Sequence, residues 1–172
     1  FPTRRSSDLG RNAVYAASKG WEVVAFDISS EGKRKAERLA ELHNVEIDYR
    51  VGRFKELDLQ EGVNGGYDVV ALIYTHFAKE ERGELHADLL KLLRQGGLFI
   101  AEFFSRNHVE FQKVNSSAGG PRDIDFLYSV EDVREEFKDC EILELKEEVI
   151  ELSEGRYHSG TASVIRFVGR KV

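Results

Sequence analysis

The stretch Gly10 to Ser29, GRNAVYAASKGWEVVAFDIS, constrains this chain more than any other segment. A glycine opens a short helical run and Gly20 closes it. The apolar strand Val23-Val24-Ala25-Phe26 then ends on Asp27. That order matches the second half of a nucleotide-type βαβ unit, in which a glycine turn lets a ligand approach the backbone. An acid about 20 residues further on accepts hydrogen bonds from ribose hydroxyls. Gly10 and Asp27 meet that spacing. The residues before Gly10, FPTRRSSDL, carry two arginines and two serines where a central parallel strand shows a Val/Ile/Leu run. The string PTRRSSDL resembles translated sequencing-adapter sequence. The expectation is therefore a non-native head over residues 1–9 and a domain over residues 10–172 that lacks its first strand.

Apolar periodicity beyond this unit alternates between strand and helix. Trp21–Asp27 reads as a strand, and Ser30 is placed to cap a helix over Glu31–His43 with Ala36, Leu39 and Ala40 on one face. Val45–Val51 is a less apolar strand, suited to a sheet edge. Tyr67–Tyr74, YDVVALIY, is almost wholly apolar and reads as a central strand buried on both faces. Lys79–Arg94 places Leu85, Leu89, Leu92 and Leu93 at helical spacing and stops at Gln95-Gly96-Gly97. Leu98–Phe104 is a second buried strand. Ser129 and Asp132 form a capping box for a helix through Phe137. Glu141–Ile150 and Ser159–Arg170 are separated by only a short loop, which predicts an antiparallel pair. The sum is an α/β fold: a doubly wound, mostly parallel sheet with a C-terminal antiparallel hairpin.

At 172 residues with 41% hydrophobic content, the chain suits one domain. Its net charge of -6 argues against general affinity for nucleic acid or an anionic membrane and favours a small-molecule partner. One cysteine, Cys140, forms no internal disulfide, and no apolar run has the length of a signal core or membrane span, so the expected location is cytoplasmic. The five histidines show no metal spacing with one another or with Cys140, and no metal is expected. Nucleophile-elbow and phosphate-loop motifs are missing.

Four segments in order carry a family resemblance: GRNAVYAASKGWEVVAFDIS; YDVVALIYTHF with the leucine-rich helix after it; RQGGLFIAEFF; and GRYHSGTASVIRFVGRK. Together they resemble the class I S-adenosylmethionine-dependent methyltransferases, in the branch related to tellurite-resistance methyltransferases. Gln95 stands where that family usually has proline. The resemblance implies S-adenosylmethionine as cofactor, with Gly10 as the last glycine of the cofactor turn and Arg11 opening the helix that faces the methionine end. It implies Asp27 on the ribose and Ile28 against adenine. Arg53 and Phe54 occupy the positions of an adenine-reading acid and an apolar neighbour. Phe54 suits the ring, whereas an arginine accepts no hydrogen bond.

In a doubly wound sheet the ligand lies across the carboxyl ends of the strands. Tyr74 and Phe77 would then border the cofactor, with His76 and Glu102 as candidate catalytic groups. A carboxylate inside an apolar strand either faces the site or meets an arginine, and Arg11 or Arg122 is the expected partner. The linker-like stretch Ser105–Asp125 is longer than most connections and reads as a lid. Arg122, Tyr128, Tyr157 and His158 are candidate acceptor-binding residues. The leading reading is methyl transfer to a small thiol, chalcogen oxyanion or similar acceptor. A cofactor-binding but catalytically impaired fragment and a nicotinamide-dependent oxidoreductase are the alternatives.

Overall fold

Local capping and turn chemistry sets most of the element boundaries. The computed structural model describes residues 10–59, 66–153 and 159–172. They belong to two units, residues 1–62 and 63–172. The expectations for residues 1–9, Tyr157 and His158 lie outside the described residues.

In the first unit, α1 (Arg11–Ser18) leads to β1 (Val24–Asp27), α2 (Ser30–Leu42) and β2 (Asp48–Val51). The helix α2 begins one residue earlier than its sequence suggests, because the Ser29 hydroxyl, not that of Ser30, accepts the Gly32 N–H at 2.9 Å. It ends at His43, just before Asn44 enters the left-handed region with φ 52°. Its buried face is built of small residues, Gly32, Ala36 and Ala40. As the crossover, α2 allows β1 and β2 to pair in parallel, from Val24 opposite Asp48 to Asp27 opposite Val51.

The second unit holds β3 (Tyr67–Ile73), α3 (Lys79–Leu92), β4 (Leu93–Phe104), α4 (His108–Val114), α5 (Val130–Glu136), β5 (Cys140–Ser153) and β6 (Ser159–Lys171). The sheet order is β3-β4-β6-β5. Only β3 and β4 run parallel, and β6 pairs antiparallel with both β4 and β5. The expected hairpin is present. The expected single, mostly parallel sheet is not: among the described residues the strands form a parallel pair and a separate mixed four-stranded sheet. The expectation for Trp21–Asp27, Tyr67–Tyr74 and Leu98–Phe104 is of parallel strands with a gap where the first strand belongs; β3 and β4 pair in parallel, and β1 has β2 as its partner.

One face of the mixed sheet carries Phe99, Phe103 and Phe167, all fully buried. The Phe137 ring at the end of α5 lies 4.8 Å from Phe99 and 4.4 Å from Phe167. Each such ring contributes about 1.5–3 kcal/mol through burial. A second apolar cluster joins Tyr74, Phe104, Leu127, Leu152, Ala162 and Val164.

Candidate functional site

In the first unit, Asp27, Ile28, Arg53 and Phe54 lie at or just beyond the carboxyl ends of the parallel pair, and Gly10 and Arg11 stand at the head of α1. Asp27 closes β1, and its carbonyl accepts the Gly52 N–H at 3.0 Å from the end of β2. Its carboxylate Oδ1 accepts the Ser29 N–H at 2.8 Å, which orients the group at the β1–α2 turn. Ile28 beside it is exposed, and Phe54 lies 6.0 Å from the Phe26 ring. Gly10 adopts φ 80° directly before α1, and a Cβ there would collide with Ala36 of α2. Glycine is thus required both by its backbone and by the approach of α1 to α2. An oriented acid, an exposed apolar neighbour, an aromatic ring and a helix N-terminus fit an adenosine-bearing cofactor. Arg53 does not extend that fit to an acceptor for the adenine amino group.

The second unit places its candidates at the carboxyl ends of β3 and β4. Tyr74 directly follows β3 in the left-handed region, with φ 50°, a conformation that costs a non-glycine residue about 1–2 kcal/mol. Its N–H donates to the Glu102 carbonyl at 2.9 Å, and its ring stacks 4.8 Å from Phe104. His76 also stacks on Phe104, at 5.6 Å, and its Nδ1 is 3.0 Å from the Phe126 carbonyl. A carbonyl only accepts, so Nδ1 carries the proton and Nε2 is the basic nitrogen of the neutral ring.

Several expectations need correction. Glu102 meets Arg166 at 2.6 Å, not Arg11 or Arg122, because the antiparallel register sets Arg166 directly opposite it on the same sheet face. Arg166 also pairs with Glu148 of β5. Phe77 and Tyr128 are packed inside the unit: Phe77 meets the edge of His86, and the Tyr128 ring stacks 4.0 Å from Phe103. The stretch from Ser105 is no free lid. It contains α4, whose Gln112 donates to the carbonyls of Gly119 and Pro121 at 2.6 and 3.0 Å, while His108 Nε2 lies 3.1 Å from the Gly119 carbonyl. Gly120 packs so closely on Phe104 and His108 that a Cβ would crowd both rings. Arg122, just beyond this latch, is exposed.

Two buried polar networks were not anticipated from sequence. Arg82 is 1% exposed and pairs with Glu136 at 2.5 Å and Asp132 at 2.9 Å. His86, fully buried, sets Nδ1 2.8 Å from the other Glu136 oxygen. The pattern Arg82, Leu85, His86, Leu89 lies on one helical stripe, so a cation on the apolar face was the available signal. The second network centres on His108. The Ser163 N–H donates to its Nδ1 at 3.3 Å, and burial holds its pKa below the ordinary imidazole value. Ser105 and Ser163 share a hydroxyl hydrogen bond of 2.8 Å, and Ser163 and Asn107 both donate to Glu147. Among the described residues, no three His, Cys, Asp or Glu side chains cluster as metal ligands, and no helix is long and apolar enough to cross a membrane.

The domain and its fold are matched among known proteins. A family model described as a methyltransferase domain matches residues 9–97, just over half of the chain. The chain therefore belongs to the methyltransferase-domain family.

A tRNA (uracil(54)-C(5))-methyltransferase from Pyrococcus furiosus is 33% identical over 109 residues, covering 63% of this chain. The chain spans only 24% of that enzyme's length. A SAM-dependent methyltransferase structure from Methanosarcina mazei superposes with a TM-score of 0.73 at 16% identity, covering 95% of this chain and 88% of its own. TehB from Haemophilus influenzae gives 0.71 at 17% identity, covering 95% of this chain and 55% of its own. Magnesium protoporphyrin IX methyltransferase from Synechocystis, a structure with bound SAH, gives 0.69 at 16% identity over 95% and 70%. At these identities the structural likeness shows the fold.

Proposed function

We propose that the whole protein transfers a methyl group from S-adenosylmethionine to a small molecule with a soft nucleophile, a thiol or a chalcogen oxyanion. The observation that carries the reading is Tyr74, a tyrosine held left-handed at the carboxyl end of β3 beside His76. Backbone strain is retained where surrounding packing enforces it, and it concentrates at working sites.

When bound, S-adenosylmethionine supplies an electrophilic methyl on a sulfonium, open to in-line displacement. The task of the protein is alignment and exclusion of water. In this reading Asp27 accepts from the ribose hydroxyls, Ile28 and Phe54 offer apolar surface to adenine, and Gly10 with Arg11 gives close approach at the head of α1. Arg53 contributes charge rather than adenine readout. Tyr74 shapes the wall beside the acceptor, and Phe77 supports it from within the core. His76 Nε2 takes a proton from acceptors that are not already ionised. Glu102 acts through its pair with Arg166, fixing charge at the end of β4. Exposed Arg122 offers a cation to an anionic acceptor, and Tyr157 and His158 remain candidates for contacting it. Tyr128 is assigned a packing role.

An RNA acceptor is a second reading, favoured by the 33% identity to the tRNA enzyme. Against it stand the net charge of -6, unfavourable for a phosphate backbone, and a match limited to 24% of that enzyme. The test is transfer of labelled methyl from S-adenosylmethionine to a panel of small thiols, selenite and tellurite, run beside unmodified tRNA. Label in a small product supports the first reading. Label confined to tRNA replaces it with the second.

A further inference from the structure

The proposed role of His76 depends on which ring nitrogen holds the proton, and the Phe126 carbonyl makes that choice. The backbone around Phe126 is itself tied down. The Tyr128 N–H donates to the Phe104 carbonyl at 3.1 Å, and the Arg106 N–H donates to the Tyr128 carbonyl at 2.9 Å. Between these ties and Phe126 lies Leu127, whose carbonyl accepts from Arg82 Nη1 at 3.1 Å. The carbonyl held by Arg82 is thus the neighbour of the carbonyl that reads His76.

Neutralising Glu136 and Asp132 requires only a positive charge, but Arg82 does more. Its guanidinium spans both carboxylates and the Leu127 carbonyl while lying 4.4 Å from the centre of the Tyr128 ring. A planar fork with five N–H donors can reach all of these at once, whereas an ammonium is a point charge on a flexible stem.

We infer that Arg82 is a positioning residue for His76, acting through the Leu127 carbonyl to hold the Phe126 carbonyl against Nδ1 and so keep Nε2 as the basic nitrogen. The inference rests on the proposed role of His76 but concerns a property readable without cofactor or acceptor. His108 provides an internal reference. Its Nδ1 accepts from Ser163 and its Nε2 faces the Gly119 carbonyl, so it holds the opposite tautomer by contacts that do not include Arg82.

The experiment is long-range proton–nitrogen NMR of the histidine rings in the full chain, wild type against Arg82→Lys. The expected result is a wild-type His76 wholly in the Nδ1–H form and loss of that form to a mixture in Arg82→Lys, with His108 unchanged. A His76 signal unchanged in the variant overturns the inference and leaves Arg82 as an ion pair alone. Parallel shifts of His76 and His108 also overturn it, since they report general loosening. If Arg82→Lys does not fold, the neutral set Arg82→Met, Asp132→Asn and Glu136→Gln removes all three charges together and is read by the same criteria. A selective His76 shift in a protein that transfers no methyl group would sustain the inference and remove the functional reading.

Discussion

The two units use polar groups in opposite ways. In the first, the candidate recognition groups sit at strand and helix ends: Asp27 in a turn, Ile28 exposed, and Gly10 at the head of α1. In the second, Arg82, His86 and His108 lie inside the aromatic core and bond to backbone carbonyls or to one another's partners. The lesson is a division of sensitivity. Removing a recognition group in the first unit should alter ligand affinity with little cost to folding. Removing a polar group in the second should first alter stability, because its desolvated partners are left unpaired.

The sharpest stability effect should come from Phe104→Ala. This ring is fully buried and stacks on Tyr74, His76 and His108, so truncation removes a large apolar group and the common support of three others. A loss of about 3–5 kcal/mol is expected in urea unfolding. A loss below about 1 kcal/mol would mean that the cluster relaxes around the cavity. Arg82→Ala should follow, with a loss of about 3 kcal/mol as Glu136 loses its guanidinium partner and Asp132 keeps only Arg106, at 2.8 Å. The same measurement on Asp27→Ala should show a smaller loss, about 1 kcal/mol, from the bond its carboxylate accepts from the Ser29 N–H, and equal losses in the two variants would erase the contrast between the units. Ser129→Ala removes the hydroxyl that accepts the Asp132 N–H at 3.1 Å and should cost about 1 kcal/mol.

Acidification is the mildest probe. Burial disfavours the charged forms of Asp132 and Glu147. Hydrogen bonds from Ser129 and Arg82 to the first, and from Ser105, Asn107 and Ser163 to the second, outweigh it and hold both carboxyls below their ordinary values. Stability from these groups is complete above the unfolded carboxylate value near pH 4 and is lost as pH falls through the folded values. Burial keeps His108 neutral, so its contribution begins to fall earlier, as the unfolded imidazole charges below about pH 6.5. Urea titrations across this range should therefore show a two-stage loss. A stability that rises on acidification from about pH 6.5 would contradict the assigned tautomer and environment of His108.

How much of this was legible in the sequence follows from what each signal measures. Periodicity located α2, β3, α3 and the final hairpin to within a few residues, because burial of one face leaves a regular apolar pattern. The Ser129–Asp132 capping box was readable because both halves lie within one turn. Glu102 was recognised as needing a cation, but the choice of Arg166 depends on the β4–β6 register, which joins residues 64 apart. Arg82, His86 and His108 were missed for a related reason. A charged side chain on a helix reads as solvated until its distant partners are known, here Glu136, Leu127, Ser163 and Gly119. Sheet membership was beyond periodicity as well, since an apolar run indicates burial without naming its neighbour.

The central claim is that Asp27 forms the ribose-binding end of an S-adenosylmethionine site. Calorimetric titration of S-adenosylhomocysteine into the wild-type chain and into Asp27→Ala tests it most directly, with NAD as the competing ligand. The account predicts saturable binding to the wild type, weakened in the variant by about 1.5–3 kcal/mol, or roughly 10- to 150-fold, while the variant stays folded. Equal affinity in the two proteins, or saturable binding of NAD in place of S-adenosylhomocysteine, would contradict it.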